Sequence, residues 1–331
     1  MTSQRGMVLL MVLLIFSVAA ILATTMIERQ SIDISRSATL HIQQQARAFA
    51  YGAESAVRQG LFLDWEVDKE KDHLAEEWAI ERTFPLDPGV ITIQISDMQG
   101  RFNLNSMLPG GAATLQEARF KNLLNLLGLN TEFANRWKAW LDKDSQADDE
   151  YYTHEPSYRA AYGACRHTSE LMLLSEFDQA AYSKLEPYVT CLPAATQLNV
   201  NTASAMVLAS LDSELSLADG EQIVAARGDE GFASVDDFWN LSQVQKFTRV
   251  TEQDGSGEGD EEASSAWAKT DFSVNTEYFL MFARIDIDER IATVEAGVSR
   301  AKDTGQMTTF YRDFSRREAS AAVNTTATAI E

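Results

Sequence analysis

The residues with the most chemistry to offer run from Trp140 to Tyr152, where Asp142, Asp144, Asp148, Asp149 and Glu150 place five carboxylates within nine positions beside a single lysine, Lys143. An Asp-x-Asp pair followed by further acids after a short gap lets side-chain oxygens converge with backbone carbonyls. Ca2+ accepts about six to eight oxygens in flexible geometry, so such a loop suits it better than Mg2+. The loop is not an EF-hand, because the loop glycine and the closing glutamate are both missing. The competing reading is a solvated acidic loop at a helix end. His41, His73, His154 and His167 have no zinc spacing, and no Gly-x-Ser-x-Gly or nucleotide loop is present, so no enzyme is expected. His154 beside the acidic loop is the one hint of a metallohydrolase, and a single loop histidine is more often solvated.

Cys165 and Cys191, 26 apart, lack metal-ligand spacing. In an exported chain they would form one disulfide; in a cytosolic one, two free thiols. Lys and Arg total 28 against 49 Asp and Glu, a net charge of −21. Such a surface repels polyanions, which excludes nucleic acid as a general partner and favours divalent cations.

The elements that position these groups begin with an apolar stretch. Residues 7–27 carry no charge and are interrupted only by Ser17, Thr24 and Thr25. At 1.5 Å per residue they span roughly 30 Å, enough for one bilayer crossing. The run is too long for a removable signal peptide, and its alanines lie inside it, so a retained anchor is expected. Arg5 and the amino terminus, opposed by Arg29, favour a cytoplasmic N-terminus and an exported body. Apolar or small residues continue at helical spacing through Ile42, Ala46, Phe49, Ala50, Ala53, Ala56 and Val57, with Gly60 as the expected stop. The helix is therefore predicted over 7–60.

Alternation in Val90, Ile91, Ile93 and Ile95 predicts a strand, and three more strand-like stretches lie between Phe272 and Arg316, with turns at Asp288–Glu289 and Asp303–Gly305. The expected fold is α+β: a long N-terminal helix packed on a small antiparallel sheet built from residues 61–103 and 270–315. A mostly helical insert, 104–269, separates the two parts. It contains amphipathic stretches at 114–129 and 131–142 and a faint repeat, Phe102-Asn103-Leu104-Asn105 and Leu198-Asn199-Val200-Asn201. The second copy opens a block similar to a helix-hairpin-helix unit, with Thr202, Ala203, Arg227 and Phe232 in place. It has Leu-Asp-Ser-Glu-Leu-Ser (211–216) where DNA-binding hairpins need Gly-x-Gly, so a packing unit is expected. The acidic Gly/Ser-rich stretch 252–265 reads as a mobile loop, and the tail 316–331 as disordered.

A short polar leader ending in Gly6, an apolar helix starting at Met7 and a long amphipathic continuation resemble a type IV prepilin or a type II secretion pseudopilin. The resemblance implies that prepilin peptidase cuts after Gly6 and methylates Met7, leaving 1–6 as a leader. Most such chains carry glutamate at the fifth mature position, which here is Met11. An unpaired glutamate in hydrocarbon is costly and calls for the amino terminus of a neighbouring subunit. A subunit without it is suited to a terminal position, which is characteristic of the K-type minor pseudopilin.

The segment Trp140-Leu141-Asp142-x-Asp144, the acids after it, Tyr151-Tyr152, Pro156, Tyr158-Arg159 and Ser169-Glu170-Leu171 also resemble the K-type inserted domain. That implies one or two structural Ca2+ ions, although the usual Gly-Ala-Glu of the loop is absent. The resemblance further implies a bacterial inner-membrane protein with a periplasmic body. Its partners would be other minor pseudopilins at the filament tip, prepilin peptidase and the inner-membrane secretion platform, with the exported substrate or the outer-membrane secretin as further contacts. With the body exported, Cys165 and Cys191 are expected to pair. A type IV pilus minor pilin, or a single-pass calcium-dependent binding protein outside any filament, would be the rival readings.

Overall fold

In a computed structural model the chain is described over residues 4–110, 113–248, 267–287 and 290–315. The stretch 252–265, the tail 316–331, the Asp288–Glu289 turn and the first residues of the leader lie outside the described residues.

Helix α1 runs unbroken from Gln4 to Val67, 64 residues and about 96 Å. It is longer at both ends than the predicted 7–60. It passes through the Gly6–Met7 junction, since no proline interrupts it. It also continues beyond Gly60, which faces open space, because Leu61 is buried against the sheet and packing there carries the helix onward. Trp65 lies over Gly305, whose positive φ of 64° and missing side chain make room for the indole ring. Ala46, Ala50, Ala53, Val57 and Leu61 form the buried stripe, whereas Ala56 faces solvent. Small side chains in this stripe let the helix axis approach the sheet closely.

After a single 3-10 turn at Glu77–Ala79, strand β1 (Arg82–Leu86) turns back into β2 (Gly89–Asp97). β1 was not predicted. Pro85 and the lack of alternation hide it, and both are tolerated because it is an exposed edge strand.

The chain then leaves the sheet through β3 (Phe102–Asn103), α2 (Ala113–Leu126), α3 (Glu132–Leu141), α4 (Asp148–Tyr151), α5 (Gln179–Leu185) and β4 (Val189–Thr190). A second series follows: β5 (Leu198–Asn199), α6 (Ala205–Ala209), α7 (Leu217–Arg227), α8 (Val235–Trp239), α9 (Ser242–Thr248) and β6 (Phe272–Ser273). β3 pairs in parallel with β4, and β5 in parallel with β6. The helical insert is built as two consecutive halves, each tied at its base by a two-residue parallel bridge. Each half has its own core. Phe120, Trp137, Trp140, Leu171 and Leu185 pack in the first, and Val200, Leu208, Ile223, Phe238 and Phe272 in the second.

Strands β7 (Tyr278–Ile287), β8 (Arg290–Arg300) and β9 (Met307–Asp313) complete a five-stranded antiparallel sheet in the order β1-β2-β7-β8-β9. β7 lies beside β2, with Asp97 opposite Phe279 and Val90 opposite Asp286, so the sheet is assembled from both sides of the insert. Ile91, Ile93, Phe279, Met281, Ala283, Ile285 and Ala296 meet the α1 stripe.

One charge sits under this contact. Glu54, buried on α1, accepts from the Arg312 guanidinium and from Thr309 Oγ1 (2.6 Å), both on β9. The hydrogen bond from Arg312 holds the Glu54 carboxyl below its ordinary value against the cost of burial. A depressed carboxyl stabilises the fold above its unfolded value and ceases to do so as pH falls through its folded one.

α7 begins with a reciprocal capping box between Ser216 and Asp219, and Gly220 in its first turn lies against the backbone of Ala205 in α6. A β-carbon at Gly220 would overlap the Ala205 carbonyl oxygen, forcing the two helices apart. Gly220→Ala is expected to cost about 1–3 kcal/mol of stability in thermal or urea unfolding. Gly52→Ala, on an open face of α1, is expected to be neutral or stabilising by up to about 1 kcal/mol.

Candidate functional site

The acidic loop follows directly from α3. Trp137, Trp140 and Leu141 bury that helix in the first core of the insert, and Asp142 is its C-terminal cap residue. Asp142 Oδ1 accepts from Asp144 N (2.9 Å), and Ser145 Oγ donates to Ala139 O (2.6 Å), which folds the loop back on the helix. Beneath it, Tyr151 is buried edge-on to Trp140 and stacked on Tyr158, with ring centroids 5.0 and 5.3 Å away.

Asp148 is the most engaged carboxylate. It accepts from Ala160 N (3.0 Å) and Tyr152 Oη (3.3 Å), lies 3.3 Å from Arg159 Nε, and its own backbone N–H donates to Tyr162 Oη. Partial desolvation opposes ionisation there, but these bonds and Arg159 outweigh it and pull the carboxyl below its ordinary value. Glu150 lies 3.8 Å from Arg136 Nε. Among the described residues Asp142, Asp144 and Asp149 have no ion-pair partner.

The five carboxylates share one loop but do not converge. Among the described residues the one trio of acidic, histidine or cysteine ligand atoms within 4.8 Å of one another is Asp64, Asp72 and Glu76, far from this loop in sequence. The donor set nevertheless fits Ca2+: it is all oxygen, it lies at the surface, and three of its members are uncommitted to any cation.

The sequence repeat turns out to be a repeated clamp. Asn103 Oδ1 accepts from Asn105 N, and Asn105 brackets Cys165, accepting from its N–H (2.7 Å) and donating to its carbonyl (3.0 Å). In the second half, Asn199 Oδ1 accepts from Asn201 N, and Asn201 brackets Phe232 in the same manner, at 2.7 and 3.0 Å. All four asparagines are buried. Asn103 also holds Leu192 N and Pro193 O, which brings the chain around Cys191 to the same base. Cys165 and Cys191 are joined in a disulfide there.

Arg227 of the hairpin-like block is consumed by the backbone: Nη1 donates to Val200 O (3.0 Å) and Ala203 O (2.7 Å). The block is a packing unit.

Buried carboxylates tie the insert to the sheet, and sequence reading did not single them out. Asp97, at the end of β2, accepts from Thr276 Oγ1 (2.6 Å), Asn199 Nδ2 (3.1 Å), Gln99 N (2.6 Å) and the Thr202 hydroxyl. Nothing in an Ile-Ser-Asp-Met-Gln sequence marks such a residue, because its three side-chain donors lie 102, 105 and 179 residues away.

Toward the N-terminus the arrangement is simpler. Among the described residues, 7–27 of α1 are not covered by any other part of the chain; their apolar side chains are exposed throughout, Met11 at 67%. This is one helix long and apolar enough to cross a membrane.

A single long helix, apolar and uncovered in one half and laid on an antiparallel sheet in the other, defines a pilin-like subunit; here it carries a doubled insert. Two family models described as type II secretion system (T2SS), protein K, match residues 100–194 and 198–255, so their shared boundary falls between the two clamped halves. The chain is 35% identical over 330 residues to the type II secretion system protein K of Pseudomonas aeruginosa, covering 94% of this chain and 92% of that protein. It is 36% identical over 264 residues to the protein K of Klebsiella pneumoniae, covering 73% and 81%. In fold it is similar to a chain in the crystal structure of the GspK-GspI-GspJ complex of enterotoxigenic Escherichia coli, with a TM-score of 0.69 at 22% identity, over 85% of this chain and 100% of that one. The chain belongs to the type II secretion system protein K family.

The clamps make a local forecast possible. Asn105→Ala and Asn201→Ala are each expected to cost about 1–3 kcal/mol, because each leaves buried backbone groups unpaired. Hydrogen exchange should report loss of protection at Cys165 in the first variant and at Phe232 in the second. Replacing both cysteines by serine should lower stability by about 3 kcal/mol in the loop-entropy model, read by thermal unfolding without reductant.

Proposed function

We propose that the protein is a minor pseudopilin at the tip of a type II secretion pseudopilus, taking part in export of folded proteins across the outer membrane. The observation that carries this reading is the division of α1, uncovered and apolar over residues 7–27 and docked on the head from Ala46 onward, in a chain of the protein K family. The uncovered half would lie in the inner membrane before assembly and against neighbouring helices afterwards, with the head in the periplasm. Met11 offers no carboxylate to the amino terminus of a subunit above it, and the insert widens the head, so the subunit suits the top of a filament and not its shaft. The solved relative occurs with two companions, GspI and GspJ, and the corresponding minor pseudopilins are the proposed partners here. Prepilin peptidase would release residues 1–6 after Gly6 and methylate Met7. The homologues are named as secretion components and not as enzymes, and the role proposed is structural.

The loop of Asp142, Asp144, Asp148, Asp149 and Glu150 would hold calcium as a structural ion. The support is its donor chemistry and the uncommitted state of Asp142, Asp144 and Asp149. The ion would draw together carboxylates that otherwise repel, fixing the α3–α4 connection over Tyr151.

Mass spectrometry of the protein from its native membrane tests the assembly reading: the expected N-terminus is methylated Met7, and an intact Met1 would sink it. For the ion, Ca2+ is expected to raise the thermal midpoint over that in chelator, and Asp142→Ala combined with Asp144→Ala should abolish most of that response. An unchanged response in the double variant would place the ion elsewhere.

A further inference from the structure

The trio Asp64, Asp72 and Glu76 occupies the junction where α1 ends, β8 ends and the insert is rooted. Each places a carboxylate oxygen within 4.8 Å of the others. One buried cation faces them: Arg300 of β8 pairs with Asp72 and donates to Thr276 O (2.6 Å). Thr276 N donates to Asp72 Oδ2 (2.7 Å), and Trp78 Nε1 donates to Glu76 Oε2. Thr276 Oγ1 in turn bonds Asp97, which holds Asn199 and Thr202 at the base of the second half of the insert. Three carboxylates against one guanidinium leave an excess of negative charge in a partly buried seam, where dielectric screening is weaker than in open water. Arg300 Nη1, itself buried, has no hydrogen-bond acceptor among the described residues.

The other charged groups facing the seam do not remove the excess. Asp68, just beyond α1, adds to it. Lys71 is turned to Glu230 O (2.8 Å) on the connection after α7, and Lys69 lies over the Trp65 ring. His73 Nε2 is 3.5 Å from Glu76 Oε1, but burial, then Lys71, push its protonation below the ordinary range. Asp97 on the β2 side is a further acid, raised by burial to about 6.

We propose that Asp64, Asp72 and Glu76 form a proton-dependent clasp between the end of α1 and the root of the insert, closed when Asp64 and Glu76 carry protons and loosened when all three are charged. Asp72 is the member that stays ionised: burial pushes it up, but Arg300 and Thr276 N support its charge. Asp64 and Glu76 take the protons. Burial first, with neighbouring acids adding, raises Asp64 to about 6 and Glu76 to about 7. Because these folded values lie above the unfolded ones, the folded chain binds more protons than the unfolded chain. The stabilisation is complete below the unfolded carboxylate range and is lost as pH rises through about 6 and then about 7. This is opposite in sign to the dependence set by Glu54.

The test uses the full chain in detergent micelles with chelator present, melted at a series of pH values from acid to mildly alkaline. Wild type is expected to lose about 2–4 °C of midpoint between pH 5.5 and 8, whereas Asp64→Asn with Glu76→Gln should lose distinctly less, the remaining slope coming from Asp97, and melt above wild type at pH 8. Glu76→Gln alone is the gentler variant, expected to flatten the upper part of the slope. Carboxyl carbon NMR of wild type reads the groups directly, with two of the trio titrating above pH 5.5. Ordinary carboxylate titration of all three, or a full slope in the double variant, overturns the proposal. So does rescue of the wild-type midpoint at pH 8 by Ca2+ that survives Asp142→Ala with Asp144→Ala but not Glu76→Gln, since the trio would then be a cation site.

Discussion

A buried asparagine can donate and accept at once, and the protein uses this property to hang about half of its chain from one sheet. Asn105 and Asn201 each bracket both backbone groups of a residue 60 and 31 positions ahead, reinforcing the base of a loop whose parallel bridge is only two residues long. Neither an aspartate nor a leucine could do this: the first has no donor, and the second would leave two backbone groups unpaired in a dry interior. The helices of the insert, the disulfide and the acidic loop all depend on those two closures for their position relative to the sheet.

The long helix answers to two environments. Its first part is uncovered by its own chain, and its second part needs a narrow alanine stripe for close approach to the sheet. A charged tie across that approach joins Glu54 to Arg312, the carboxylate lying on the same buried helical face as Ala50 and Val57. An element shared in this way couples head and anchor: force or displacement along α1 reaches β9 through Glu54 and the end of β8 through the carboxylate seam at Asp72 and Arg300.

Much of this was legible in the chain itself, for identifiable reasons. Apolar runs and helical spacing report which solvent an element needs, so the uncovered apolar half of α1 and most of the stripe were readable, although Ala56 was placed on the wrong side and Gly60 did not end the helix. β2 and the closing strands announced themselves by alternation. β1 did not, because an edge strand need bury neither face fully. The Asn-x-Asn repeat was visible as a pattern, but its meaning lay in partners such as Cys165 and Phe232 that no local spacing indicates. The acidic loop was found by its density of oxygen donors, and the structure shows those donors spread along the loop.

What the sequence by itself determined is therefore the set of local solvent preferences: one apolar helix, an alternating sheet, a helical insert, and Gly6, Met7 and Met11 at a junction resembling that of pseudopilins. Only the tertiary structure decided that the insert is double, and that Asp64, Asp72, Glu76 and Asp97 belong to its root and not to the solvent. The physical reason is that hydrophobic periodicity is encoded over a few residues, whereas the burial of a polar group is decided by partners far along the chain. Thr276 is the plainest case: it meets Asp72 and Asp97 across 204 and 179 positions, joining Arg300 at the first and Gln99, Asn199 and Thr202 at the second.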